Sequence, residues 1–185
     1  METAEPNYSI CYLLDENDVI VDISQGWDDF ARENAAPHLD ASNVIGRNLI
    51  DFVSGDETKM YVRAILNSAR LFRRPMVRTY RCDSPDQRRY MEMRLTIVDD
   101  NLIKWEHRMV RSESLQRRMR FRVAAGFDAG KLIVRCSVCN RLKSGSSWHE
   151  PDQAPLTPTE GEEEYLVAYG VCPDCQGKFS REAIR

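Results

Sequence analysis

The most regular stretch of the chain runs from Tyr90 to Val98. Met91, Met93, Leu95 and Ile97 alternate there with Glu92, Arg94 and Thr96. A period of two predicts a half-buried antiparallel strand, because successive strand side chains point to opposite faces. Leu102 to Val110 repeats the pattern after the turn Asp99-Asp100-Asn101, with Ile103, Trp105, His107 and Met109 on one face. Met76 to Cys82, just after Pro75, is a third extended run. Near the start, residues 8–14 (Tyr-Ser-Ile-Cys-Tyr-Leu-Leu) are rich in β-branched and aromatic side chains and read as a strand. Val19 to Ile23 reads as another, and Asp15 to Asp18 as the turn joining the two into a hairpin.

Between the hairpin and Pro75 the period changes. Trp27, Phe30 and Ala31 fall at i, i+3 and i+4, a short helix that Ser24 is placed to cap and Pro37 ends. Gly46 precedes Leu49-Ile50-Asp51-Phe52-Val53, a short apolar helical turn. Asp56 starts a longer helix to about Arg70, with Met60, Ile65, Leu66 and Ala69 as its apolar stripe. Five antiparallel strands cannot bury their apolar face alone, so the inserted helices must cover one face of the sheet. The class is α+β.

This order of elements resembles the PAS family. The resemblance is carried by the opening hairpin, by Gly26-Trp27-Asp28-Asp29-Phe30-Ala31-Arg32-Glu33-Asn34, and by Gly46 ahead of Leu49-Ile50-Asp51-Phe52. It covers about residues 8–112, within a first domain of residues 1–112. The resemblance implies sensing, ligand binding or dimerisation. Trp27, Phe30, Met91, Met93, Leu95 and Trp105 are expected to line the core and to fill it themselves, without haem or flavin.

Leu115, Met119 and Val123 recur at i, i+4 and i+8 and predict a linker helix, within residues 113–130, that Gly126 and Gly130 break. Lys131 to Arg135 reads as a strand, residues 150–164 as a polar loop, and Tyr165 to Tyr169 as a returning strand. Gln176 to Phe179 reads as a short helix. The third segment, residues 131–185, is too short to build much core alone, and chains that small commonly rely on a metal.

Its sequence supplies the ligands for one. Cys136-Ser137-Val138-Cys139 and Cys172-Pro173-Asp174-Cys175 are separated by 32 residues. Each Cys-x-x-Cys turn sets two thiolates on one side of a tight loop, and two facing turns make the four-sulfur tetrahedron that Zn²⁺ prefers. Two redox dithiols, or cysteines that are merely packed, are the alternatives. The segment resembles a zinc-ribbon-like module found at the C-terminus of some bacterial PAS and response-regulator proteins. Trp148, Tyr165-Leu166 and Gly170-Val171-Cys172-Pro173-Asp174-Cys175 carry that resemblance, and Tyr169 stands where the module has His.

Charge adds a further feature. The net −3 divides into −11 over residues 1–58, +10 over 59–122 and −2 over 123–185. Such blocks usually mean solvated faces of opposite sign and can also mark a partner surface or self-association. Together with the dimerisation that the PAS resemblance implies, a homodimer is expected, with the PAS sheet or flanking helices at the interface and Leu115, Met119 and Val123 as the best candidates for its apolar contact. The partner in signalling is not named by the sequence. Nucleic acid is a rival partner, since residues 111–122 carry five arginines against one glutamate. The acidic start, Met1 to Pro6, has no apolar leader, and no run approaches the roughly 20 apolar residues of a membrane span, so a cytoplasmic protein with no membrane partner is expected.

Enzymatic signatures are missing from the sequence. No Gly-rich phosphate loop occurs, and a closed four-cysteine site has no open position for catalysis. His107 reads as packed rather than ligating, His149 as superfluous beside four thiolates, and His38 as a loop residue. Cys11 and Cys82 read as small buried hydrophobes. A non-enzymatic sensor, a nucleic-acid-binding regulator and a thiol redox switch remain as function classes.

Overall fold

A computed structural model describes residues 9–33, 36–99, 102–124, 132–156 and 164–182. Met1 to Pro6, Tyr8, Asn34, the turn residues Asp100 and Asn101, Gly126, Gly130, Lys131 and the centre of the 150–164 loop lie outside them. The chain divides into two compact units. One comprises Met1–Val53, Lys59–Tyr80 and Arg89–Ser112, the other Ser54–Thr58, Arg81–Arg88 and Glu113–Arg185.

The first unit is built on a five-stranded antiparallel sheet. Its strands are β1 (Ser9–Leu14), β2 (Ile20–Ile23), β3 (Met76–Arg81), β4 (Gln87–Ile97) and β5 (Ile103–Ser114), in the order β2-β1-β5-β4-β3. Asp15 closes the β1–β2 hairpin: its Oδ1 accepts from the amides of Asn17 at 2.9 Å and Val19 at 2.8 Å. Asp18 takes the left-handed conformation that this turn needs, at φ 63°, which a short polar side chain tolerates. Alternation then sorts the side chains. Ile10, Tyr12 and Leu14 of β1, Met93 and Leu95 of β4, and Ile103 and Trp105 of β5 all enter one buried cluster.

The helices cover that same face. They are α1 (Trp27–Glu33), α2 (Ala41–Val44) and α3 (Asp56–Phe72), with 3₁₀ turns at Pro37–Leu39 and Leu49–Phe52. Val62, Ile65, Leu66 and Ala69 of α3 are buried at i, i+3, i+4 and i+7. Met60, expected in that stripe, is 69% exposed; it sits about 200° around the helix from Val62. Ser24 does not cap α1 with its side chain. Its hydroxyl accepts from the Cys11 amide at 3.0 Å, so it pins the chain to β1. Cys11 and Cys82 are half-buried rather than buried, and Cys11 points to the side of β1 opposite Ile10 and Tyr12.

The second unit holds a mixed sheet. Its strands are β6 (Phe121–Val123), β7 (Ile133–Cys136), β8 (Leu142–Ser144), β9 (Ser147–His149) and β10 (Tyr165–Gly170), in the order β6-β10-β7-β8-β9. β10 runs parallel to both β6 and β7, while β7, β8 and β9 pair antiparallel. A helix, α4 (Pro173–Glu182), follows β10.

No linker helix forms over the described part of residues 113–130. β5 continues to Ser114, no helix lies between it and β6, and residues 115–120 carry no regular structure, with bends at Gln116 and Arg117. The reason is visible in the backbone donors. The Leu115 amide donates to the Asp86 carbonyl at 2.9 Å and the Met119 amide to the Pro85 carbonyl at 2.7 Å. Distant carbonyls replace the local ones a helix would use. Met119 is 2% exposed and packs with Leu142 and Ala154, Leu115 is half-buried and Val123 is exposed. The three therefore form no common seam, and the expected dimer contact through them is withdrawn.

The start of the 150–164 loop is also more than a polar connection. Pro151–Gln153 forms a 3₁₀ turn with Pro151 and Asp152 buried. Arg88 pairs with Asp152 at 3.0 Å and Glu113 at 3.1 Å, and Arg81 pairs with Asp83 and with Glu150, both at 2.5 Å. Arg81 and Asp83 have side chains only 6% and 3% exposed. Removing one partner of a buried pair leaves an uncompensated charge, so this cluster locks the turn in one arrangement.

Candidate metal centre

Parallel pairing of β7 and β10 brings the two cysteine turns together. Gly170 lies opposite Cys136 in the ladder, so both turns leave the same end of adjacent strands. The Ser137 amide donates to the Gly170 carbonyl at 2.9 Å. In the first turn the Asn140 amide donates to the Cys136 carbonyl at 3.0 Å and the Cys136 amide to the Arg141 carbonyl at 2.8 Å. Asn140 supplies the positive φ, 59°, that lets the chain reverse. The second turn opens α4, with Pro173 as its first residue and the Gln176 amide donating to the Cys172 carbonyl at 3.0 Å. Proline suits that place because its missing N–H would have no partner there.

The four sulfurs of Cys136, Cys139, Cys172 and Cys175 all lie within 4.8 Å of one another. Cys139 Sγ and Cys172 Sγ are 3.7 Å apart. Four thiolates bonded to zinc at about 2.3 Å would have tetrahedral edges of about 3.8 Å. A disulfide needs about 2.05 Å, and all four cysteines are free. Cys136, Cys172 and Cys175 are buried and Cys139 is half-buried. The donor chemistry and spacing thus fit one thiophilic ion held in a closed shell.

The protons of the four thiols are unevenly held. Hydrogen bonding from the Cys136 thiol, with help from Arg141, lowers Cys139 to about 4. The same bond, with burial, raises Cys136. Burial, then the bond to Cys172, pushes Cys175 up to about 12. A divalent ion would displace these protons, since thiolates are the ligands.

Sequence reasoning missed Arg141. Its Nε donates to Cys139 Sγ at 3.3 Å, and its Nη2 reaches Cys172 Sγ at 3.7 Å and Asp174 Oδ2 at 2.8 Å. Its position two residues past a thiolate pair was the available signal, because four thiolates around a dication leave excess negative charge. His149 is half-buried on β9 and is not grouped with the sulfurs. His38 is exposed on its 3₁₀ turn.

Of the expected pocket residues, Trp27, Met93, Leu95 and Trp105 share the core of the first unit and Phe30 packs against it. Met91 is buried at 3% but lies outside that cluster. His107 belongs to a polar aromatic group beside it. Its Nδ1 is 2.8 Å from the Tyr80 hydroxyl and its Nε2 is 3.1 Å from the Tyr12 hydroxyl. The ring stacks on Trp105 at 5.6 Å and on Tyr12 at 5.5 Å. Both nitrogens are therefore engaged, one tyrosine donating and the other accepting. Trp105 Nε1 is buried without an acceptor among the described residues.

Burial lowers His107 from 6.5 to about 4. Between those values the unfolded chain binds the proton and the folded chain does not, so stability rises with pH there. The wild-type protein should lose stability as pH falls from 6.5 toward 4. His107→Gln should flatten that slope, read as urea midpoints of the first unit at several pH values. Identical slopes in the two proteins would refute the assignment.

Comparison with protein-family models finds none that matches the chain, and a search of curated proteins finds no matching sequence.

Proposed function

We propose that this is a non-enzymatic sensory or signalling protein, with a PAS-like unit that senses or docks and a structural zinc module that presents an interaction surface. The observation that carries the reading is the four-sulfur cluster, with its ligand atoms within 4.8 Å of one another. Four thiolates complete a tetrahedral shell, so the ion would hold the fold and leave no position for a substrate. The PAS part is supported by element order: an opening hairpin, helices packed on one face, then three strands completing one antiparallel sheet. No helix among the described residues is long and apolar enough to cross a membrane. Reduced clustered thiols favour a cytoplasmic setting for the module. The homodimer suggested by the charge blocks belongs to the same proposal, without the Leu115-Met119-Val123 seam.

The arginines of residues 111–122 lend the nucleic-acid reading less support than their number suggested. Arg117 donates to the carbonyls of Ala154 at 2.8 Å and Leu156 at 3.2 Å, Arg111 lies over the Tyr90 ring, and Arg122 pairs with Glu164. Native mass spectrometry of protein purified under reducing conditions tests the proposal. One zinc per chain, no bound organic cofactor and a dimer mass are expected. Metal-free protein with two readily formed disulfides would replace the proposal with the redox switch.

A further inference from the structure

We propose that Arg141 is a positioning residue for the metal, strapping the two cysteine turns together and quenching the nucleophilicity of their thiolates. The inference rests on the reading of the cysteines as metal ligands. Its geometry is specific: one guanidinium reaches a sulfur of each turn, Cys139 from the first at 3.3 Å and Cys172 from the second at 3.7 Å. Those two sulfurs are themselves 3.7 Å apart, an edge of the cluster. Asp174, on the first turn of α4, holds the same Nη2 at 2.8 Å and so fixes the fork from outside.

The electrostatics explain why a cation belongs there. Four thiolates and one dication sum to −2, and an arginine at the edge brings the cluster to −1. Arg141 has a side chain 26% exposed, whereas Asp174 is 68% exposed. Water screens the carboxylate more than the guanidinium, so the pair does not cancel at the sulfurs. Charge-assisted N–H donation to sulfur withdraws electron density from it. That lowers the thiolates' tendency to attack an electrophile or to leave the metal as protonated thiols. Cys139 is the half-buried member of the quartet and gains most, because solvent reaches it. Partners outside the ligand shell typically alter metal affinity about 10- to 100-fold.

The test compares wild type, Arg141→Ala, Arg141→Lys and Asp174→Asn as full chains. Zn²⁺ affinity is read by competition with a chromophoric chelator, thiolate reactivity by the rate of iodoacetamide labelling of the zinc-loaded protein. The Co²⁺-loaded protein reports the sulfur-to-metal charge-transfer band. Arg141→Ala should lose about 10- to 100-fold in affinity, label faster, and move the band to longer wavelength. Arg141→Lys, which keeps the charge without the fork, should fall between it and wild type. Asp174 is exposed and its asparagine variant should fold, giving the same shifts in smaller measure. A folded wild type that binds no metal would overturn the metal reading and this inference together. A wild type that binds metal, with Arg141→Ala (or Arg141→Lys, where the alanine variant does not fold) matching it in affinity, labelling rate and band position, would overturn the role of Arg141 alone.

Discussion

Cys172→Ser should abolish metal binding and unfold the second unit while leaving the first folded. Cys172 is 1% exposed, its sulfur sits 3.7 Å from that of Cys139, and its amide donates to Cys136 Sγ at 3.4 Å. A serine hydroxyl stays protonated at neutral pH and does not replace the thiolate. Apparent zinc-binding energies in small structural sites are about 10–16 kcal/mol, against about 5–15 kcal/mol for the net stability of a whole domain. The apolar cluster of the second unit is small, built on Met119, Leu142 and Ala154 with partly buried neighbours. Losing the metal should therefore remove most of that unit's stability. The first unit has its own core, which contains no cysteine. Chelation of the wild type should reproduce the effect. Elemental analysis reports the metal, and hydrogen exchange at the β7 and β10 amides reports the fold. Full metal content and undiminished protection in Cys172→Ser would refute the four-thiolate shell.

Met119→Glu should also unfold the second unit, at any protein concentration. The sequence pattern had placed Met119 on an exposed helical seam, where the same change would only separate a dimer. In the structure it is 2% exposed, against Leu142 at 0% and Ala154 at 5%. Truncating a buried methionine costs about 2–5 kcal/mol, and a carboxylate without a partner adds a desolvation penalty or a forced protonation. A total above about 4 kcal/mol places the change among the exceptional ones. Met119→Leu, close in volume, should cost less than about 1.5 kcal/mol. Urea midpoints of the second unit separate the outcomes. A Met119→Glu protein of wild-type stability and halved mass would restore the helical seam and contradict the burial of Met119.

The difference between those readings of Met119 lies in what an apolar period can carry. Met91, Met93, Leu95 and Ile97 announced β4 because four alternating positions exclude a helix, and the structure buries the first three while half-burying Ile97. Leu115, Met119 and Val123 offered three positions at a spacing that an irregular extended chain also satisfies by accident. Their fate was set by Asp86 and Pro85, 29 and 34 residues away, whose carbonyls take the Leu115 and Met119 amides. Met60 failed for a related reason. A stripe needs a consistent phase, and Val62 rather than Met60 shares the phase of Ile65, Leu66 and Ala69.

The cysteine pairs were legible because a metal site imposes its chemistry locally: two thiols three residues apart in a tight turn need no tertiary information to be paired. The five strands of the first unit, and α1, the Leu49–Phe52 turn and α3 between β2 and β3, were legible for the same reason, through short-range periodicity; α2 and the Pro37–Leu39 turn were not. Which pair faces which, and across what, was decided only by the fold. β10 joins β7 in parallel, with Gly170 opposite Cys136, and sequence alternation is blind to strand direction. Arg141 at the sulfurs, the two tyrosines on His107 and the buried ion pairs of Arg81 and Arg88 were decided there too. A charged or hydrogen-bonding side chain finds its partner through space, and nothing in its own neighbourhood along the chain specifies who that partner is.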